Sequence, residues 1–336
     1  MKQNNYLLNF LKVTFFALLL IATSPVRAEI KVVTTIKPLH SLIANVMDGV
    51  GEPSLIIEDS TSPHSFTLKP SHAKLLEEAD LIFWVGEGIE TFMERPLESI
   101  VKNAEVVEFM EVESIEKLKF REESIYDDHD EDHDGHDDHD DHDDHEDHDD
   151  HDEDHDDHDD HAGHEGHNHG EFDAHIWLDP MNAKEMVREI AHELGHLDPT
   201  NKDKYEANAD ATILALDQLI EDVSKDINKD AKFVVFHEAY QYFEERFGVR
   251  AEGALTLNTD VLPGAKQIDE IQDVIKDRGV NCIFSEPQFN PKIITTIAKD
   301  TNIKTGVFDP LGANINSDKD LYFKLISNLG SELKGC

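Results

Sequence analysis

From residue 127 to residue 170 the chain contains no Lys, no Arg and almost no apolar residue. Such a stretch has nothing with which to build a core, so the folded part must come from the sequence on either side of it. Within the run, histidines alternate with acids at a spacing of mostly three: His129, His133, His136, His139, His142, His145, His148, His151, His155, His158, His161, His164, His167 and His169. Imidazole is a ligand that suits Zn, Cu and Ni, and carboxylates add charge and weaker donors. Most acidic low-complexity runs are solvating spacers. The histidine density points instead to a disordered loop that gathers divalent metal.

The first 28 residues read as an export signal. Lys2 and Lys12 bracket a mixed stretch, residues 13–22 are apolar, Ser24-Pro25 interrupts, and Val26-Arg27-Ala28 supplies small residues where a signal peptidase reads. The apolar run is too short to span a membrane. The mature chain is therefore expected to begin near Glu29 and to work outside the cytoplasm. Two cysteines, Cys282 and Cys336, are all that the chain has. In an exported protein an even pair usually means one disulfide. Thiolate metal ligation is the weaker alternative, since neither has a second Cys or His close in sequence.

The net charge is −43, which makes nucleic acid an unsuitable partner and concentrates cations nearby. Residues 127–171 hold 25 of the 73 acids, so the remainder is only moderately acidic.

Before the run, apolar segments at 31–35, 55–57, 81–85 and 105–109 alternate with helical patterns at 41–47 and 71–78. After it come helices at 183–197 and 202–228, then strands at 233–236, 282–285 and 305–308 with helices at 267–277, 291–299 and 319–333. Continuous apolar runs such as Leu81-Ile82-Phe83-Trp84-Val85 suit parallel strands buried on both faces. Alternation of strand and helix implies an α/β fold. The simplest architecture has two Rossmann-like lobes with parallel sheets: residues 29–198 (bearing the loop 127–170), a linker helix 199–228, and residues 229–336.

In such sheets ligands bind beyond the carboxyl ends of strands. His64, His175, His237 and Asp309 each fall just after an apolar segment or on its flanking loop, two on each side of the long helix. They could converge between the lobes, and three imidazoles with a carboxylate or water make a four-coordinate site suited to Zn2+. Glu286, after another strand, is a lesser candidate. Trp84 and Trp177 read as core beneath the site, and His40 and His72 as capping or packing residues.

The segments SPHSFTLKPSHAKLLEEADLIFWVGEGIETFM, HIWLDP, LDPTNKDKYEANA, VVFHEAYQYFEERFG, FSEPQF and FDPLG resemble the solute-binding component of bacterial zinc ABC importers, the ZnuA family, along the whole mature chain. The resemblance implies two α/β lobes joined by a rigid helix, with His64, His175 and His237 as primary zinc ligands. It also implies a His-rich insertion before HIWLDP, a Cys282–Cys336 disulfide, and a monomer in the periplasm that hands zinc to an ABC permease with its cytoplasmic ATPase. Some zinc members carry a carboxylate immediately before the first ligand; Pro63 stands there, leaving the fourth position to Asp309 or water.

His192-Glu193-Leu194-Gly195-His196 matches the H-E-x-x-H helix of zinc peptidases. The match is a decoy by pattern for a peptidase, and leaves only a weak accessory metal contact through the His192/His196 pair as an alternative. Val187, Ile190, Leu194 and Leu197 form the buried stripe, and both histidines lie opposite it. A periplasmic zinc buffer or metallochaperone would use the same ligands as an importer component, and growth under zinc starvation with and without the protein separates the two. No enzymatic activity is expected. Deleting residues 127–169 should remove weak zinc equivalents in a titration and leave one tight site; loss of the tight site would make the loop the primary one.

Overall fold

Leu81–Trp84 and Phe233–His237 are buried at every position, as central strands covered on both faces must be. Around each, a four-stranded parallel sheet is built. The computed structural model describes residues 30–121, 123–125, 171–257, 259 and 263–336. The expected export signal and the His-rich run lie outside the described residues. No helix among those described is long and apolar enough to cross a membrane.

The first lobe runs β1 (Val32–Thr34), α1 (Lys37–Val46), β2 (Ser54–Leu55), α2 (Pro70–Glu78), β3 (Leu81–Trp84), α3 (Glu94–Ser99) and β4 (Glu105–Glu108). Then come α4 (Pro180–Leu197) and the long α5 (Lys202–Asp226). The second lobe comprises β5 (Phe233–His237), α6 (Gln241–Phe247), β6 (Gly253–Thr256), α7 (Ala265–Asp277), β7 (Cys282–Ser285), α8 (Lys292–Thr301), β8 (Lys304–Val307) and α9 (Leu321–Lys334). The sheet orders are β2-β1-β3-β4 and β6-β5-β7-β8, all parallel. The two lobes thus repeat one topology. In each, the chain runs to one side from the first strand and then reverses, so a switch point lies between β1 and β3 and another between β5 and β7.

Local chemistry sets the element ends. Pro38 stands in the first turn of α1, which begins four residues earlier than the apolar spacing suggests. His72 Nδ1 accepts from the Lys69 backbone N–H and caps α2, and His40 Nε2 contacts the Pro53 carbonyl. The strand read at 55–57 is shorter as an element, but Ile56 and Ile57 still donate to the carbonyls of Thr34 and Thr35. Three elements escape the sequence reading: α3, α6 and β6. The last, Gly-Ala-Leu-Thr, carries little of the β-branched signal that marks a strand.

The larger apolar core is shared by the two lobes. One apolar cluster runs from Val32 and Phe83 through Leu216 and Val223 of α5 to Phe284, Phe308 and Leu325. A second, smaller cluster covers the other face of the second sheet. α5 packs against α4, α1 and α9, and α9 also reaches α1. A Cβ at Gly330 would lie 2.8 Å from Val223 Cγ1, so glycine is what permits α9 to approach α5 so closely. Polar groups cross the same boundary. Trp177 Nε1 donates to the Pro310 carbonyl (2.8 Å), Tyr322 Oη to the Trp177 carbonyl (2.7 Å), and the Tyr322 backbone N–H to Ser41 Oγ (3.1 Å).

The Cys282–Cys336 disulfide is formed, with Cα atoms 5.8 Å apart, and pins the end of α9 to β7. Replacing both cysteines by Ser is expected to lower the unfolding free energy by about 2–4 kcal/mol, read by urea denaturation. Gly330→Leu should cost about 1–3 kcal/mol through overpacking of the α5–α9 contact.

Candidate metal centre

At the second lobe's switch point, His237 is the last residue of β5 and Glu286 follows β7. His237 Nδ1 donates to Glu286 Oε1 across the gap at 2.6 Å. His175 is held in the same manner from the other side of the cleft. Asp173 Oδ1 accepts from His175 Nδ1 at 2.7 Å and from its backbone N–H at 3.0 Å. Both rings and both carboxylates are buried. A carboxylate only accepts, so in the neutral imidazole the ring proton sits on Nδ1 and the Nε2 lone pair is turned to the cleft.

Those two Nε2 atoms face each other at 3.4 Å. Two lone pairs so placed repel unless a cation lies between them. Two nitrogens bound to one tetrahedral zinc at its usual bond length stand about 3.4 Å apart. The spacing fits that ion. His64, half-buried, comes from the short turn Pro63–Ser65 that follows β2. Its ring centroid lies 5.5 Å from that of His175 and 5.9 Å from that of His237. One nitrogen from each of the three rings falls within 4.8 Å of the others. The cluster is bordered on one side by Phe120 and Phe172 and on the other by Trp177 and Phe289.

The HIWLDP segment shows how local sequence places His175. Ile176, Trp177 and Leu178 are buried in a single tight turn. Asp179 then caps α4 by accepting from the Met181 N–H, with Pro180 at the first helical position. Asp179 also accepts two bonds from Arg246 of α6, at 2.7 and 2.8 Å, so the turn bearing His175 is tied to the second lobe. Tyr242 Oη adds a 2.6 Å bond to the Asp173 carbonyl.

Asp309, the expected carboxylate candidate, is not among the donors gathered with the three imidazoles. Its Oδ1 accepts from Gln288 Nε2 and the Leu311 N–H, both at 3.2 Å. Glu286 serves through His237 and does not itself join the three donors. Asp173 was not legible as a site residue; the signal was an acid two positions before the His of HIWLDP. Trp84 and Trp177 are both buried. Beside His237, Arg121 is set between Glu238 and Glu244, at 3.3 and 2.9 Å. Burial pushes the Glu238 carboxyl up to about 8, against the pull of Arg121. Burial likewise raises Glu244.

His192 and His196 stand on the exposed face of α4, with side chains 73% and 71% accessible, away from the cleft. The H-E-x-x-H stretch therefore contributes nothing to the interlobe cluster.

Two parallel α/β lobes with an imidazole trio in the cleft between them define a two-lobed metal-binding protein. Residues 32–336 match the family model described as "ZnuA: Zinc-uptake complex component A periplasmic". The chain is 49% identical over 307 residues to the high-affinity zinc uptake system protein ZnuA of Brucella abortus (strain 2308), covering 91% of each. It is 34% identical over 331 residues to that of Yersinia pestis, covering 97% of this chain and 98% of the other. Among solved structures, a "Crystal structure of ZnuA" is similar with a TM-score of 0.69 at 20% identity, covering 91% of this chain and 98% of that one. The chain belongs to the ZnuA family, the periplasmic metal-binding proteins of high-affinity zinc uptake.

If Asp173 and Glu286 hold the imidazoles for metal, Asp173→Asn and Glu286→Gln should each weaken zinc binding about 10–100-fold in a chelator competition assay. Unchanged affinity in both would show that the carboxylates only pack.

Proposed function

We propose that His64, His175 and His237 are the ligands of the transported Zn2+, with water in the fourth position. The observation that carries this is the pair of Nε2 atoms at 3.4 Å, each fixed by a carboxylate on the opposite ring nitrogen. Three neutral nitrogens and one open position form a neutral shell that an ion can enter and leave without breaking a closed four-residue cage. The donor set also disfavours calcium and magnesium, which take oxygen ligands.

In this reading the protein acts in the periplasm as a monomer after removal of residues 1–28. It captures zinc and passes it to an ABC permease driven by a cytoplasmic ATPase. It carries out no catalysis. The lobes in this reading are residues 29–198 and 229–336 bridged by the helix between, a division that the two parallel sheets and α5 support. The His-rich run raises the zinc concentration near the site through many weak contacts. The core shared across the lobes and the Arg246–Asp179 pair favour small lobe movements over wide hinge closure.

His64→Ala, His175→Ala and His237→Ala should each weaken tight zinc binding by more than the roughly 10–100-fold that loss of an outer partner costs. Calorimetric titration measures this, and tight binding retained in all three would refute the assignment. Because a ligating imidazole must be unprotonated, affinity should fall as protons compete with zinc at lower pH and recover on return to neutrality.

A further inference from the structure

The H-E-x-x-H stretch of α4 is idle in the interlobe site, yet the fold gives part of it new neighbours. Glu193 and His196 are three residues apart and so share a helical face. The edge strand β4 brings Glu105 beside them, with His196 Nδ1 3.8 Å from a Glu105 carboxylate oxygen. One donor atom from each of the three lies within 4.8 Å of the other two. Glu-x-x-His is also the spacing by which helices in metal-binding bundles aim two ligands at one ion.

The charge balance points the same way. Among the described residues, neither Glu105 nor Glu193 pairs with a Lys or Arg; their ion-pair partners are His196 and His192. Two carboxylates are thus drawn together by a strand and a helix with no fixed cation to offset them. Glu108, Glu111, Glu113 and Glu189 line the same open cleft and deepen its negative potential. An imidazole among these carboxylates distinguishes the cluster from an ordinary acidic patch, because it adds a nitrogen donor suited to first-row metals.

We propose that Glu105, Glu193 and His196 form a second site for a divalent first-row cation such as Zn2+, open to solvent and completed by water. It lies on the outer face of the first lobe and is separate from the interlobe imidazoles. His192 takes no part, although it belongs to the sequence motif. Its Nε2 stands 3.9 Å from Glu193 and it is not among the three converging donors. The motif therefore works as Glu-x-x-His with a strand carboxylate, and not as His-x-x-x-His. Exposure makes this site weaker than the interlobe one.

The test uses the full chain with one equivalent of Zn2+ already bound, titrated with further Zn2+ and followed by nitrogen NMR of the imidazole rings. His196→Ala identifies the His196 signal. That signal should shift saturably in the wild type. Glu105→Gln and Glu193→Gln should each raise the zinc needed for half-saturation by about tenfold or more, while His192→Ala leaves it unmoved. A His196 signal indifferent to millimolar zinc would overturn the proposal. So would a shift unaffected by both glutamine variants, or one abolished by His192→Ala.

Discussion

The site depends on one mechanical fact: the two lobes share a core. A three-imidazole centre drawn from both lobes works only if its nitrogens are held within a few tenths of an ångström. Two domains meeting across a polar surface would drift by more than that. Here Leu216 and Val223 of α5 belong to the same buried cluster as Phe83 and Phe308. Trp177, two residues from His175, donates to Pro310 in the second lobe and accepts from Tyr322 through its carbonyl. The turn that presents His175 is therefore bolted to the lobe that presents His237.

On this frame the electrostatics are simple. Asp173 and Glu286 each bond an imidazole Nδ1, leaving the Nε2 atoms as the converging donors. Glu286 does this from across the switch point, which is where an open parallel sheet leaves a crevice. Burying an unpaired carboxylate is costly, and its bond to the ring offsets part of that cost while fixing the tautomer. Asp173 serves His175 from only two residues away, so the same chemistry arises once by chain proximity and once by sheet topology.

The strands were legible because apolar runs such as Leu81–Trp84 are continuous and flanked by helical patterns. His237 was legible because it closes such a run, and His64 and His175 because they stand on loops flanking apolar segments and within motifs that carry the family resemblance. What escaped had physical reasons. β6 is built of Gly, Ala, Leu and Thr, too weak a pattern to register. The pairing of His237 with Glu286, 49 residues apart, is a product of strand order, which periodicity does not reveal. Asp309 looked equivalent to His237 along the chain, both following an apolar strand, yet its carboxylate turns to Gln288 and Leu311. Position at a strand end shows where a side chain starts and says little about its direction. The His-rich run, the loudest feature of the composition, lies outside the described residues.

The most direct measurement is a crystal structure of the full chain with one equivalent of zinc. The account predicts a single ordered ion between the lobes at about 2.0–2.1 Å from the Nε2 atoms of His175 and His237 and from one His64 nitrogen, with a water as fourth ligand. An ion bound anywhere else at that stoichiometry, or a shell in which carboxylate oxygens displace any of the three imidazoles, would contradict it.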